Sequence, residues 1–128
     1  MKLLRLRGRK ICDRLIRLGN VWKGRHMIVR WLPGHPRHPD VRRDSEAIYM
    51  GILTSVKLDK SAVKRNRMRR RCREALRIIL RDIPSPPGTL QLLIAPRSSS
   101  LSAPFADLQQ DIRAFLSFRS HGRSTKAQ

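Results

Sequence analysis

Between Ser61 and Asp82 the chain meets two demands that a helix satisfies together. Seven of the ten residues from Lys64 to Arg73 are basic, and Glu74 is the only acid between Lys64 and Arg81. Yet Met68, Cys72, Ala75, Leu76, Ile79, Leu80 and Ile83 recur at three- and four-residue intervals. At about 100° per residue these apolar positions share one arc, which must meet a sheet. Arg67, Arg70, Arg71, Arg73, Arg77 and Arg81 take the rest of the circumference. The segment is predicted as a long helix stopping before Pro84-Ser85-Pro86-Pro87-Gly88. Like charges within one or two turns destabilise such a helix in isolation. Something outside it has to compensate.

The rest of the chain sharpens that requirement. Its 128 residues suit one domain with a modest core. Lys and Arg number 29 against 9 Asp and Glu, a formal net charge of +20. That excess repels itself in the compact state, and a polyanion would relieve the cost. Hydrophobic residues make up 40% and recur periodically, so the chain is no disordered basic tail. No run of about 18 apolar residues is present, so a membrane role finds no support. Met1 to Arg7 lacks the continuous apolar stretch of a secretory signal. It loosely fits an Arg-rich transit peptide, but the following residues read as part of the fold. Cys12 and Cys72 lie 60 residues apart with no metal-ligand spacing around them. They read as small buried thiols in a reducing, cytoplasmic setting.

Residues 8–19 are predicted as a short helix with Ile11, Leu15, Ile16 and Leu18 on its apolar face and Gly19-Asn20 as its stop. Within Val21 to Leu32, His26 to Leu32 suits a strand, which ends at the proline-rich loop from Leu32 to Asp40. A second strand is expected over Ala47 to Val56, and a buried one over Thr89 to Ala95. Ser98 to Ser102 reads as a polar turn, with Ser102 capping a final helix and Pro104 in its first turn. Phe105, Leu108, Ile112, Phe115 and Leu116 keep the spacing of one packed face. Arg119 to Gln128 lacks apolar anchors and is expected to fray, giving a domain over 1–118 and a flexible tail over 119–128. The order, helix–strands–helix–strand–helix, indicates an α+β architecture with helices on a small sheet.

The long helix favours arginine heavily over lysine. The planar arginine fork makes bidentate phosphate contacts and stacks on bases, which points to docking on a folded nucleic acid. A solvated charged face is the plainer reading of a charge run, but solubility is ordinarily met by mixed signs. Arg65 and Arg69 fall inside or beside the apolar arc, where they are expected to reach past the sheet edge into a groove. Asn66 is a poor helix-interior residue that can pair with backbone or base edges.

Ser61-Ala62-Val63-Lys64-Arg65-Asn66-Arg67-Met68-Arg69-Arg70-Arg71-Cys72-Arg73-Glu74-Ala75 closely resembles the RNR signature of the bacterial ribonuclease P protein component. Gly51-Ile52-Leu53-Thr54-Ser55-Val56-Lys57-Leu58 resembles the strand leading into that signature. The resemblance runs from about Leu6 to Leu116. It implies a two-layer α–β sandwich with a small mixed sheet and a left-handed βαβ crossover, like the second domain of a small-subunit ribosomal protein. That hand is an exception to the usual right-handed rule. It also implies a partnership, one protein per RNA, with a catalytic RNA that removes the 5′ leader of precursor tRNA using Mg²⁺ held mainly by RNA. The residues this places at the RNA are Arg65, Asn66, Arg67, Arg70 and Arg73, with Arg69 and Lys64 by charge and Lys57 just before the signature.

The resemblance further implies a cleft for the leader between the first helix and the sheet. Where relatives commonly carry aromatics, this chain has Cys12, Ile16 and Arg30, which diminishes base stacking. Trp31 is one residue off and points to the opposite sheet face. Trp22, Trp31 and Tyr49 read as packing residues.

No self-sufficient nuclease site is legible. The nine acids are scattered among bases, whereas a two-metal site needs them clustered. His26, His35, His38 and His121 have no obvious partners in sequence. The competing readings are a ribosomal or other structural RNA-binding protein, with the same charge logic, and a helix-turn-helix DNA reader. The latter lacks a preceding partner helix at the right spacing.

Overall fold

The computed structural model describes residues 2–39, 41–43, 45–83 and 88–122. Its elements run β1 (Lys2–Arg5), α1 (Arg9–Leu18), β2 (Asn20–Lys23), β3 (Met27–Pro33), β4 (Ala47–Ile52), α2 (Ala62–Asp82), β5 (Leu90–Pro96) and α3 (Phe105–Gly122), with a 3₁₀ turn at Ser98–Leu101. The five strands form one mixed sheet in the order β1-β4-β5-β3-β2. β4 is parallel to both β1 and β5, while β3 is antiparallel to β5 and β2.

The period-2 pattern of the strands sends alternate residues to two separate cores. On one face Val29, Trp31, Ile48, Met50, Leu90, Leu92 and Ile94 meet the apolar arc of α2 and the Leu108–Ile112–Phe115 face of α3. On the other, Ala47, Tyr49 and Leu93 pack beneath Ile11 and Leu15 of α1, with Leu6. The α+β class and the mixed sheet are as expected, but the sheet carries helices on both faces, α1 alone on one and the α2–α3 pair on the other, so there are three layers and not two. Of the expected arc, Met68, Cys72, Ala75, Leu76 and Ile79 are buried, while Leu80 and Ile83 pack half-buried at its edge.

Several expected boundaries move, each for a physical reason. β1 was not legible as a strand, because Lys2 and Arg5 mask its alternation; charged residues are common on an edge strand, where they discourage pairing with other chains. Residues 20–33 form two strands joined by a tight turn, with Gly24 N–H donating to the Met27 carbonyl at 2.8 Å. That turn is held from afar: the buried Asp111 carboxylate of α3 accepts from the backbone N–H groups of His26 (2.7 Å) and Arg25 (3.3 Å). β4 ends at Ile52 and not at Val56, since the chain turns away through Ser55, whose carbonyl accepts from Leu58 N–H at 3.0 Å.

Ser102 follows the 3₁₀ turn and does not cap α3, which starts at Phe105 with Pro104 just before it. Nor does the chain fray at 119. α3 continues to Gly122, and the Arg119 guanidinium lies 5.6 Å from the centre of the Trp31 ring, a cation–π contact. The boundary expected at 118 thus falls inside α3, and residues 123–128 of the expected tail lie outside the described residues.

Candidate nucleic-acid interface

α2 is launched by a capped turn. Ser61 N–H donates to the Asp59 carboxylate at 2.8 Å, and the Ser61 hydroxyl accepts from Lys64 N–H at 3.3 Å. The first turn has no acidic residue to complement the helix dipole, so its positive end adds to the side-chain charge. Lys57, Lys64, Arg67, Arg70 and Arg73 are all exposed. Val56 and Val63 stand exposed among them, 62% and 75% accessible, apolar surface that the sequence reading did not single out.

Arg65 and Arg69 part company. The Arg65 guanidinium folds back onto the loop before the helix, donating through Nη1 to the carbonyls of Asp59 (2.8 Å) and Lys60 (3.1 Å). It braces the turn and does not line the groove it was expected to enter. Arg69 does enter one. Its Nη1 donates to the Thr54 hydroxyl and its Nη2 to Asn66 Oδ1, so Asn66 and Arg69 act as one hydrogen-bonded unit. Arg71, on the expected outer surface, instead donates to the carbonyls of Leu101 (2.7 Å) and Ala103, tying α2 to the start of α3.

The groove is open and holds about 460 Å³. One wall is α2, through Asn66, Arg69, Arg70 and Arg73; the opposite side brings Cys12 of α1 together with Arg5 and Leu6. Its floor includes Gly51, Ile52 and Leu93. Gly51 keeps that floor low, since a Cβ there would stand only 3.3 Å from Leu93 Cδ1. An isolated glycine in an apolar strand is a signal of close approach, so this feature was in principle readable. Nothing in the sequence marked Arg5, Leu6 or Leu93.

Of the residues expected to form a cleft, Cys12 lines this groove directly. Ile16 lies one turn further along the same side of α1 and is 45% exposed. Arg30 is half-buried on the α1 face of the sheet, where it pairs in register with Leu93 of the groove floor and with Val21 on its other side. The two candidate sites, basic helix and cleft, are therefore continuous. Trp31 is 1% exposed on the opposite face and packs edge-to-face on Phe115, with ring centres 6.1 Å apart. Trp22 packs on the same ring, and the Tyr49 hydroxyl bonds His35 Nδ1 at 3.1 Å. All three are packing residues.

Burial pushes the Cys72 thiol up to about 12, against its ordinary 9.0. Cys12 is raised too, by burial and by the nearby Asp13 carboxylate. Neither is a thiolate near neutral pH, so neither is a ready nucleophile. Among the described residues no three His, Cys, Asp or Glu side chains gather around a common point. What the surface offers is fixed positive charge, hydrogen-bond donors in planar forks and an apolar floor, the combination that holds single-stranded or folded nucleic acid.

Comparison with known proteins agrees. The family model for ribonuclease P matches residues 1–118. The chain belongs to the ribonuclease P protein family. It is similar to the ribonuclease P protein component of Thermus scotoductus, 36% identical over 111 residues that cover 87% of this chain and 57% of that one. The corresponding protein of Thermus aquaticus is 37% identical over the same share of each. The chain thus spans somewhat more than half the length of these relatives. Among solved structures, the RNase P protein of Staphylococcus aureus superposes with a TM-score of 0.66 at 18% identity, covering 89% of this chain and 93% of that one. The protein from Thermotoga maritima gives 0.67 at 19%, covering 88% and 94%. Both share this chain's α+β fold.

Proposed function

We propose that this chain is the protein subunit of a ribonuclease P ribonucleoprotein, docking through α2 on the catalytic RNA and receiving the 5′ leader of precursor tRNA along the α1–sheet face. The observation that carries this reading is the shared groove, in which Asn66, Arg69, Arg70 and Arg73 face Cys12 across the sheet. A strand lying on the α1 side would pass directly into the groove beside the RNA docked on α2. Along that path Ile16 and Leu93 offer aliphatic contact, and Arg30 offers charge. Such contacts are indifferent to base identity, which suits a leader whose sequence varies among precursors.

The protein's own residues do binding work in this reading. Arginine forks hold phosphates, the groove aligns an unpaired strand, and +20 of net charge offsets RNA repulsion. The side chains present do not fit a protein-held Mg²⁺, because the groove is walled by cations and not by carboxylates. Mg²⁺ then belongs on RNA phosphates, and cleavage of the phosphodiester belongs to the RNA. One protein per RNA and a cytoplasmic setting complete the reading; no described helix is long and apolar enough to cross a membrane. Family membership favours it over a purely structural RNA-binding role. Sequencing the RNA that co-purifies with the tagged protein tests it: ribonuclease P RNA should dominate, and a predominance of ribosomal RNA would refute the assignment.

A further inference from the structure

A second cavity, of about 410 Å³, lies on the other side of the start of α1, between β1 and the loop that follows β3. Four cations surround it, Lys2, Arg5, Arg7 and Arg42, and no carboxylate of the described residues lines it. Its inner surface is apolar, made by Leu4, Ile11, Val41 and the side of Tyr49. Ile11 and Tyr49 belong to the buried core beneath α1, so this surface is firm. Within the loop wall, described residues also bond one another. The Val41 N–H donates to the His38 carbonyl at 3.1 Å, and Arg43 donates to the Pro36 carbonyl at 3.2 Å. Gly8, at the start of α1, supplies no side-chain cap, so the first-turn N–H groups add positive potential nearby.

The volume is that of a small-ligand site, and its lining is of two kinds. A bare inorganic anion has no use for the apolar floor, and an apolar ligand has none for four cations. A nucleotide has both parts. Arg5 lines this cavity and the groove alike, so a strand lying in the groove reaches the cavity past a single shared residue.

We infer that this cavity is a second nucleotide subsite for single-stranded RNA, taking a phosphate among Arg5, Arg7 and Arg42 and a base on Leu4, Ile11 and Val41. The inference rests on the leader reading above: the strand is the precursor's leader, and the nucleotide held here lies upstream of those over Ile16 and Arg30. The subsite makes leader length, and not leader sequence, a determinant of affinity.

The test uses the reconstituted ribonucleoprotein and precursor tRNAs carrying 4-thiouridine at successive leader positions, with crosslinked peptides identified by mass spectrometry. Upstream positions should crosslink to the segments holding Leu4 and Val41, and positions nearer the cleavage site to those holding Ile16 and Arg30. Arg42→Glu should weaken a precursor with a decanucleotide leader by about tenfold and leave one with a dinucleotide leader unchanged. Crosslinks confined to the α1–β3 side at every position would overturn the subsite while leaving the groove intact. Equal weakening of both precursors would also overturn it, since the cavity would then serve the catalytic RNA. Absence of any leader crosslink to the protein would sink the leader reading itself, and the subsite with it.

Discussion

Arg70 and Arg71 are adjacent arginines on one basic helix, and they should behave as different kinds of residue. Arg71 donates through Nη1 to the Leu101 carbonyl at 2.7 Å and through Nη2 to the Ala103 carbonyl. Each hydrogen bond from a charged group contributes about 1.5–3 kcal/mol. Arg71 is half-buried, so water recovers part of what is lost, and alanine returns a few tenths through helix propensity. Relief of repulsion among neighbouring cations offsets a little more. Arg71→Ala should therefore cost about 2–3 kcal/mol, which for a domain of this size lowers Tm by about 10 °C. Arg71→Lys keeps the charge but loses the fork that spans both carbonyls, and should cost about half as much. Arg70 is exposed and lines the groove, so Arg70→Ala should change stability by no more than about 0.5 kcal/mol while weakening RNA binding. Thermal melting by far-UV circular dichroism and RNA filter binding measure the two effects separately. Equal melting temperatures for the two alanine variants would refute the division of labour along α2.

Other expectations follow from the same geometry. Asn66→Ala and Arg69→Ala should have similar effects on RNA affinity, and the double variant little more than either alone, because the pair is one hydrogen-bonded unit; additive losses would argue against that. Ile16→Asp should impair binding of precursor tRNA more than mature tRNA, and indifference between them would count against a leader groove. Removing one phosphate contact at Arg67 or Arg73 should flatten the salt dependence of RNA binding by about 0.7–0.9 log units per decade, whereas an unchanged slope would mean the residue touches no phosphate. Cys72 has a folded pKa raised to about 12 by burial, so its contribution to stability is complete below about 9 and is lost as pH rises toward 12. Over that range the wild type should lose stability faster than Cys72→Ala, by about 1 kcal/mol per pH unit, in denaturant titrations; parallel curves would contradict the burial.

The parts of this fold that could be read in sequence are those set by local period. α2 is one: its apolar arc and its arginine circumference follow from helical geometry, and the structure buries the expected Met68, Cys72, Ala75, Leu76 and Ile79. Trp31 is another, since strand alternation alone sends it away from Arg30. What stayed hidden depends on partners distant in sequence. The turn between β2 and β3 is held by Asp111, a residue of α3. Arg65 and Arg71 illustrate a second limit, because a helical wheel gives a direction but not the reach of a long side chain, which here finds backbone carbonyls. β1 illustrates a third: a four-residue edge strand bearing two cations has no periodicity to detect. The candidate groove was legible on its α2 wall and at Cys12. Its continuity was not, because Leu93 and Arg5 enter through sheet pairing and not through any local pattern.

The central claim is that this surface serves an RNA catalyst and is not one itself. It is tested most directly by following release of the 5′ leader from a precursor tRNA by the cognate ribonuclease P RNA across Mg²⁺ concentrations, with and without the protein. The account predicts that the protein alone cleaves nothing, that adding it shifts the curve to lower Mg²⁺, and that the variant carrying both Asn66→Ala and Arg69→Ala loses most of that shift. Superimposable curves with and without the wild-type protein would contradict it.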